Sequence, residues 1–309
     1  MVAIHTEPLS NISTEINFFL TNIVCRVAVP FFAVCTGYYL TLAIYKQKVD
    51  SILRAIKKIA FMYGKWSLFY LIIHLINWYK TVDFNTIITY TIGWCKSFFH
   101  SASYFHLWYL ICIIYALIAF YIIIKNIPIK YFPFIIGFLW LTEVLEYGYY
   151  DFSSPHIQCF LNYLSKLGSI FTGITRLLPL LMVGSIIASS HTRKYNHLGT
   201  AITFILLVTE VYILRHIGGE RFSFIIVTLP LAYFLFNSIL HLESKHNNSS
   251  KIFADMSMLI YCLHPTIIWL LKEINLTNPF ILFILTSSGC TIISFAYYYN
   301  FNKKVRRLF

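Results

Sequence analysis

Charged residues are scarce in this chain. Only 12% of its 309 residues are Asp, Glu, Lys or Arg, and the acidic ones number 12 against 24 basic ones. A soluble domain averages about 25% charged residues, so this composition argues against a water-soluble globular protein. The formal net charge of +12 could suggest nucleic acid. The basic residues, however, lie in short clusters between apolar runs, which is typical of membrane-protein loops, and we expect no nucleic-acid partner.

Several motifs are also missing from the sequence. Its seven cysteines show no CxxC or CxxH spacing, so they predict neither a metal site nor a disulfide framework. A bridge between Cys95 and Cys159 remains an alternative. There is no GxSxG, HExxH or glycine-rich phosphate loop, which leaves serine hydrolases, zinc proteases and P-loop enzymes without support. No linker or repeat divides the chain, and we predict a single membrane domain over 1–309.

Long apolar runs are what the sequence does contain. A bilayer-spanning helix needs roughly 20 mostly apolar residues. Nine runs qualify, at 18–45, 59–79, 107–124, 132–149, 169–189, 198–215, 222–241, 256–271 and 279–299. The opening MVAIH resembles the last turns of another apolar helix, so we expect further apolar residues before Met1. The predicted fold is an all-α, polytopic transmembrane bundle of nine full spans plus the stub of a tenth.

The loop charges predict the orientation of these spans. If the loop at 46–58 is inside, the inside loops hold fifteen Lys and Arg residues and the outside loops hold six. Such an excess predicts a multi-pass protein of the cell membrane with a cytoplasmic C-terminus. The longest outer loop, 80–106, contains the amphipathic stretch 86–100. This stretch is either a helix lying flat on the bilayer with Trp94 at headgroup depth or an ordinary covering loop.

Ionisable residues inside the predicted spans gather in the outer half of the bilayer. A charged side chain at the bilayer centre costs on the order of 2.5–3.5 kcal/mol on insertion scales, so each one needs a reason. Lys65 is the exception on the inner side, where it can snorkel to the surface. The others predict a polar cavity that opens outward: His5, Arg26, His74, His106, Glu143, Glu146, Arg176, Glu210 and His264.

Structural roles compete with functional ones at most of these positions. His74 and Glu146 are near enough to the headgroups to be interfacial, and Glu210 can pair with a neighbouring span. His264 precedes Pro265, which frees the carbonyl of Tyr261, and the histidine can satisfy that kink. A structural ion pair is the alternative for Arg26, Arg176 and Glu143. It is weaker for Arg26, which lies on an apolar helix beside a proline.

Five motifs, in order and at their spacing, resemble the acyltransferase 3 family of integral membrane acyltransferases. They are VAIHT, RVAVPFFAVCTGYYL, HLWYL, TRLLPLLMVGSIIA and SMLIYCLHP. Within that family the likeness is to the membrane domain at the front of vancomycin-resistance serine racemases. Each motif is weak alone, but the ordered set covers nearly the whole chain.

The resemblance implies transfer of an acyl group, usually acetyl from acetyl-CoA, to a hydroxyl of an extracytoplasmic glycan or small molecule. Acyl-CoA is then a donor substrate, and no bound cofactor or metal is implied. The family's histidine matches His5, its second arginine matches Arg26, and its HLWYL-like motif matches His106 and Trp108. The family also has an arginine ten residues before the histidine, and here that position would precede Met1.

The chemistry suggests roles for these residues. A neutral histidine can take the proton of an attacking hydroxyl, which is worth roughly 10²–10⁴ in rate, so His5 is the predicted general base. Arg26 is predicted to hold the developing oxyanion or a CoA phosphate. We predict that five further residues line the substrate side: His106, Trp108, Glu143, Arg176 and His264.

A small-molecule transporter, for an amino acid such as serine, is the rival hypothesis. An outward polar cavity suits a transporter equally well. Against it, the sequence shows no pair of Gly- or Pro-broken spans in corresponding halves.

Overall fold

A computed structural model describes residues 1–48, 50–190, 196–240 and 249–305. Most of the described residues are helical, and none of them forms a β-strand. Their α-helices are α1 (Val2–Thr6), α2 (Thr14–Phe18), α3 (Ala28–Tyr45), α4 (Ser51–Thr81), α5 (Phe84–His100), α6 (Trp108–Asn126), α7 (Phe132–Glu146), α8 (Pro155–Ser165), α9 (Ser169–Thr172), α10 (Leu178–Ser189), α11 (His197–His216), α12 (Thr228–Leu240), α13 (Ser249–Glu273) and α14 (Pro279–Val305). Two π-helical turns, Phe19–Val24 and Gly173–Leu177, interrupt them.

Six helical segments in the described ranges are long and apolar enough to cross a bilayer: Thr14–Tyr45, Ser51–Thr81, Phe84–Asn126, Ser169–Ser189, His197–His216 and Pro279–Tyr299. The all-helical, multi-pass class is therefore confirmed, but the predicted count of nine full spans is not. The predicted runs 132–149 and 222–241 contain helices of only 15 and 13 residues. The run 256–271 lies within the 25-residue α13, which is not among the six.

Close contacts lie where the two short helices stop short of their predicted runs, after the last residue of α7 and before the first residue of α12. After α7 the chain turns at Gly148, where an added Cβ would lie 2.6 Å from Ile225 Cγ2. Before α12 the backbone N–H groups of Ile226 and Val227 donate to Oε1 and Oε2 of Glu210, both at 2.9 Å. Non-helical backbone is tolerated at membrane depth when protein groups satisfy it, and here Glu210 supplies the acceptors.

The predicted outer loop 80–106 contains a helix of its own. Asp83 caps α5, because one of its carboxylate oxygens accepts hydrogen bonds from the backbone N–H groups of Asn85 and Thr86. The helix therefore begins before the amphipathic stretch and ends with it at His100. Its orientation to the bilayer stays a prediction.

The chain forms two compact units. The first consists of Met1–Arg26 together with the described part of Glu243–Phe309, and the second of the described part of Val27–Leu242. In the first unit, α1 packs against α13, α14 and the π-helical turn Phe19–Val24.

The second unit is built around the crossing of α3 and α10. Gly37 and Gly184 let the two backbones approach, because a Cβ on Gly37 would lie 2.0 Å from the Leu181 carbonyl oxygen and one on Gly184 would lie 2.2 Å from that of Val34. The hydroxyl groups of Thr41 and Ser185 join across the same crossing at 2.7 Å. Small residues at close crossings are typical of helices packed in a membrane.

The outer face of α7 has the character of a lipid-facing surface. Phe134, Phe138 and Leu141 follow helical spacing on one face and are 77%, 71% and 58% exposed. A stripe of large apolar side chains would be unfavourable in water, so it supports a membrane environment for this helix.

Candidate functional site

His5 and His264 lie together in the first unit. Their rings stack with centroids 5.3 Å apart and planes at 27°. His5 belongs to α1, and His264 lies in α13, where it is fully buried. The structure thus brings the predicted general base into contact with one of the predicted substrate-side residues.

The tautomer of His264 follows from its hydrogen bond. Nδ1 lies 2.8 Å from the carbonyl oxygen of Tyr261 and 3.2 Å from that of Ile260. A carbonyl only accepts, so Nδ1 carries the proton. Tyr261 is four residues before Pro265, which has no N–H to donate to it. His264 therefore has the structural role given above as its alternative, because its ring donates to the Tyr261 carbonyl that Pro265 leaves without a backbone donor. The same hydrogen bond also holds the His264 ring beside His5.

Arg26 follows the π-helical turn Phe19–Val24 and lies in the 3₁₀ turn Cys25–Val27. The turn Phe19–Val24 just before Arg26 packs against α1, which contains His5. Its Nε is buried and meets no hydrogen-bond acceptor among the described residues, and no described carboxylate pairs with it. A structural ion pair is therefore not found for Arg26 in the described part of the chain. A buried donor of this kind fits an acceptor oxygen supplied by a substrate.

Arg176 differs from Arg26, since it forms an ion pair in the second unit. Its Nε donates to Glu143 Oε1 at 2.7 Å, and the hydroxyl of Thr175 donates to Glu143 Oε2 at 2.8 Å. Both oxygens of the fully buried Glu143 thus have a donor. Glu146 is more distant, with Oε2 at 4.0 Å from Arg176 Nη2. The ion-pair alternative is borne out for Arg176 and Glu143.

Aromatic rings enclose the Arg176 guanidinium. Its Cζ lies 4.4 Å from the ring centroid of Phe224, 4.5 Å from that of Tyr147 and 5.4 Å from that of Trp108. Cation–π contacts of this kind stabilise a desolvated charge. The glutamate and the rings leave Nη1 and Nη2 of Arg176 without a hydrogen bond to any described residue, so these two groups are the donors available to a ligand.

The π-helical turn Gly173–Leu177 presents Thr175 and Arg176 to Glu143. This turn packs closely on α6, because a Cβ on Gly173 would lie 2.5 Å from the Cys112 carbonyl oxygen. π-Helical turns are rare and occur often at functional sites. In this protein each of the two π-helical turns contains or closely precedes a partly buried arginine.

His106 lies in a different cluster of the second unit. It is 3% exposed, and its ring makes edge contacts with Tyr70 and Tyr104 at 5.0 and 5.3 Å between centroids. Tyr70 and Tyr104 stack on each other at 4.1 Å. The structure therefore groups Trp108 with Arg176 and places His106 among tyrosines, although the two residues are adjacent in one motif.

The structure also shows the surroundings of Glu210, of His74 and of the two cysteines of the alternative bridge. Glu210 has a structural role, since it also accepts from the Tyr149 hydroxyl at 2.7 Å. His74 stacks on Trp78 with ring centroids 5.2 Å apart. Cys95 and Cys159 are both free and exposed, so the alternative bridge is not formed. Within the described ranges, no group of three or more His, Cys, Asp or Glu residues could hold a metal ion.

Sequence reasoning missed the partners of the predicted residues. Thr175, Tyr147 and Phe224 complete the Arg176 cluster, but nothing in their local sequence marks them. Thr175 adjoins Arg176 in the TRLLPLL motif, which was the one available signal. Phe224 is distant in sequence from both Glu143 and Arg176, so only the fold brings it there.

The comparisons with known proteins concern nearly the whole chain. The family model described as an acyltransferase domain matches residues 1–299. The chain belongs to this acyltransferase family. The resemblance of its motifs to the family is therefore confirmed.

Two curated relatives of this acyltransferase domain are amino-acid racemases from Enterococcus faecalis. One is 31% identical over 258 residues, which cover 81% of this chain and 35% of the racemase. The other is 23% identical over 323 residues, which cover 99% of this chain and 45% of the racemase. The chain thus spans less than half the length of these relatives. No solved structure matches it.

Proposed function

We propose that this protein is a membrane-bound acyltransferase that moves an acyl group, acetyl in the simplest case, from acyl-CoA to a hydroxyl of an extracytoplasmic acceptor. Membership of the acyltransferase family supports the reaction type. The observation that carries the assignment of residues is the buried Nε of Arg26, which has no acceptor among the described residues. Arg26 directly follows a turn that packs against α1, the helix of His5.

In the proposed reaction the acceptor oxygen attacks the thioester carbonyl carbon while His5 takes the hydroxyl proton. The carbonyl oxygen becomes an oxyanion, and Arg26 donates a hydrogen bond to it. When the carbon–sulfur bond breaks, His5 returns its proton to the thiolate of CoA. Removing one such oxyanion donor typically costs about 10²–10³ in rate. The stack with His264, whose own ring is fixed by the Tyr261 carbonyl, supports a defined orientation for His5.

The Arg176 cluster is proposed to serve acceptor recognition. Glu143 and the surrounding rings hold the guanidinium in place, and its Nη groups are available to an acceptor oxygen. His106 is proposed to act on the same substrate side through its aromatic cluster. A position in the cell membrane with the C-terminus in the cytoplasm follows from the loop charges and belongs to the proposal.

A second candidate function is transport of an amino acid. The relatives carry the name amino-acid racemase, which favours a substrate of that class. Purified full-length protein in liposomes distinguishes the two. The proposal expects acetyl-CoA added on one side to release free CoA in the presence of an alcohol acceptor, with labelled acetyl recovered on that acceptor. Saturable uptake of labelled serine without any CoA release would instead support the transporter.

A further inference from the structure

The surroundings of Arg176 contain a second donor without an acceptor. Trp140 lies on α7, one turn before Glu143 and two turns before Tyr147, so these three residues share one face of the helix. Trp140 is 7% exposed, and its Nε1 meets no hydrogen-bond acceptor among the described residues. An indole N–H only donates, so this buried group fits an oxygen that a ligand supplies.

The ring of Phe224 connects Trp140 to Arg176. Trp140 meets this ring edge to face, with centroids 6.4 Å apart and planes at 66°. The Cζ of Arg176 lies 4.4 Å from the centroid of the same ring. Neither Nη group of Arg176 donates to a described residue. Two side chains with donors that lack a partner in the described part of the chain therefore lie around Phe224.

A second guanidinium belongs to the same cluster. The Cζ of Arg221 lies 5.8 Å from the ring centroid of Tyr147 and 6.0 Å from that of Tyr150. Arg176 contacts the Tyr147 ring as well, with its Cζ at 4.5 Å. Arg221 is exposed and forms no ion pair with a carboxylate in the described ranges. The cluster thus reaches the surface at a cation that no described acidic group pairs with.

The two acidic residues of the cluster leave these donors available. Glu143 accepts from the Nε–H of Arg176 and from the hydroxyl of Thr175, so each of its oxygens already has a donor. The Oε2 of Glu146 lies 4.0 Å from Arg176 Nη2, which is beyond hydrogen-bond range. Glu146 therefore competes with an incoming anion for Arg176 without forming the hydrogen bond itself.

These features select among ligand classes. An ammonium group cannot accept from an indole or a guanidinium. A neutral oxygen could accept from both but would gain nothing from the charge of Arg221. A phosphate dianion would meet too little positive charge, because Glu143 already neutralises Arg176.

A carboxylate has a single charge and two oxygens, which match the paired Nη donors of a guanidinium. We propose that Arg176 and Trp140 bind a carboxylate and that the acceptor is accordingly a hydroxy acid; the second half of this inference rests on the proposed function. In that acceptor the carboxylate binds the protein and the hydroxyl receives the acyl group.

Equilibrium binding tests the carboxylate site. Detergent-solubilised full-length protein is titrated at neutral pH with glycolate, lactate, glycerate and serine, with the amide of each acid, and with inorganic phosphate. We expect saturable binding of at least one acid and no binding of phosphate. The amide of that acid should bind at least ten-fold more weakly, because it has the same shape but lacks the charge and the second acceptor oxygen.

Three variants test the site while leaving the pair of Glu143 and Arg176 intact. Trp140→Phe keeps a ring but removes the N–H, and it should weaken the affinity for the acid several-fold. Arg221→Gln should weaken it about two- to five-fold at low salt and less at high salt, because an exposed charge is screened. Glu146→Gln should strengthen it by a similar factor, since a competing negative charge is removed.

Lys166→Gln provides the matched control for loss of an exposed positive charge. The Lys166 side chain lies against Tyr163, outside the Arg176 cluster, so this variant should bind the acid as the unaltered protein does. Four results would each overturn the site: failure of every acid to bind, equal affinity for an acid and its amide, unchanged affinity in Trp140→Phe, or weaker binding in Glu146→Gln.

The binding assay also separates this inference from the proposed function. Acyl transfer to a neutral alcohol by a protein that binds no acid would rule out the carboxylate site and leave the acyltransferase intact. Acid binding that depends on Trp140, in a protein that transfers no acyl group, would support the site and count against the proposed function.

Discussion

The two arginines, both partly buried, differ in what their guanidinium groups contact. Arg176 donates its Nε–H to Glu143 and lies against three rings, so these contacts hold the guanidinium in place while its Nη groups stay available. Arg26 has a buried Nε without an acceptor in the described part of the chain. An arginine of the second kind is costly to maintain unless a substrate supplies the acceptor, which is why the proposed chemistry is assigned to Arg26.

Removal of the Glu143 carboxylate should destabilise the protein strongly. Glu143→Gln leaves the Arg176 charge buried without its partner, and breaking a buried pair from one side costs about 3–5 kcal/mol. The matched variant Glu146→Gln removes a partner that lies at 4.0 Å and is partly exposed, so it should cost about 0–1 kcal/mol. Equilibrium unfolding in detergent measures both. Equal losses in the two variants would show that Glu143 does not anchor Arg176.

The bond between His264 and the Tyr261 carbonyl should depend on Pro265. His264→Ala removes that donor and should cost about 0.5–1.5 kcal/mol from this bond, in addition to the lost packing. Pro265→Ala restores a backbone N–H that can reach the same carbonyl. A double-mutant cycle on the free energy of unfolding isolates the coupling, and His264→Ala should cost less when residue 265 is alanine. Strictly additive effects would mean that the histidine does not compensate for the proline.

Among the helices, those with long apolar runs were predicted best. Ser169–Ser189 and His197–His216 agree with their predicted spans to within a residue or two, because length and hydropathy alone define them. The lengths of α7 and α12 are overestimated from sequence. Gly148 packs against Ile225 just after α7, and Glu210 accepts backbone hydrogen bonds just before α12, and neither contact is visible in the local sequence.

The candidate site was predictable only in part. The His264–Tyr261 bond could be anticipated because it is local and follows from one proline. The π-helical turns have no sequence pattern that we could identify. The ring cluster around Arg176 joins residues distant in sequence, so composition and spacing could not reveal it.

The crossing of α3 and α10 should tolerate no side chain at its glycines. Gly37→Ala and Gly184→Ala both place a Cβ about 2 Å from a backbone oxygen, so the helices must separate and pack less well. We expect each variant to lose at least about 1–3 kcal/mol. Gly64 and Gly137 are helical glycines with nothing within 4 Å of an added Cβ. Their alanine variants should be neutral or stabilised by up to about 1 kcal/mol, and a similar loss at all four positions would contradict this packing.

For the whole molecule, the orientation in the bilayer is the first expectation to test. In a background without native cysteines, a cysteine at Lys57 should resist a membrane-impermeant maleimide in intact cells, whereas one at Lys96 should react. Both positions are exposed, so accessibility within the protein does not bias the comparison. Permeabilised cells provide the control, in which both should react. The reverse pattern in intact cells would overturn the inside–outside assignment and the outward acceptor with it.

Acyl transfer by the full-length protein in liposomes tests the central claim most directly. His5→Ala should abolish transfer of labelled acetyl from acetyl-CoA, and Arg26→Lys should lower it by about 10²–10³, because lysine keeps the charge but loses the planar donor group. The exposed His156 provides the control, and His156→Ala should transfer normally. All variants should show the same folded fraction by size-exclusion chromatography. We expect acyl transfer to fall only in the His5→Ala and Arg26→Lys variants. Near-normal acyl transfer by His5→Ala would contradict the role of His5 as general base.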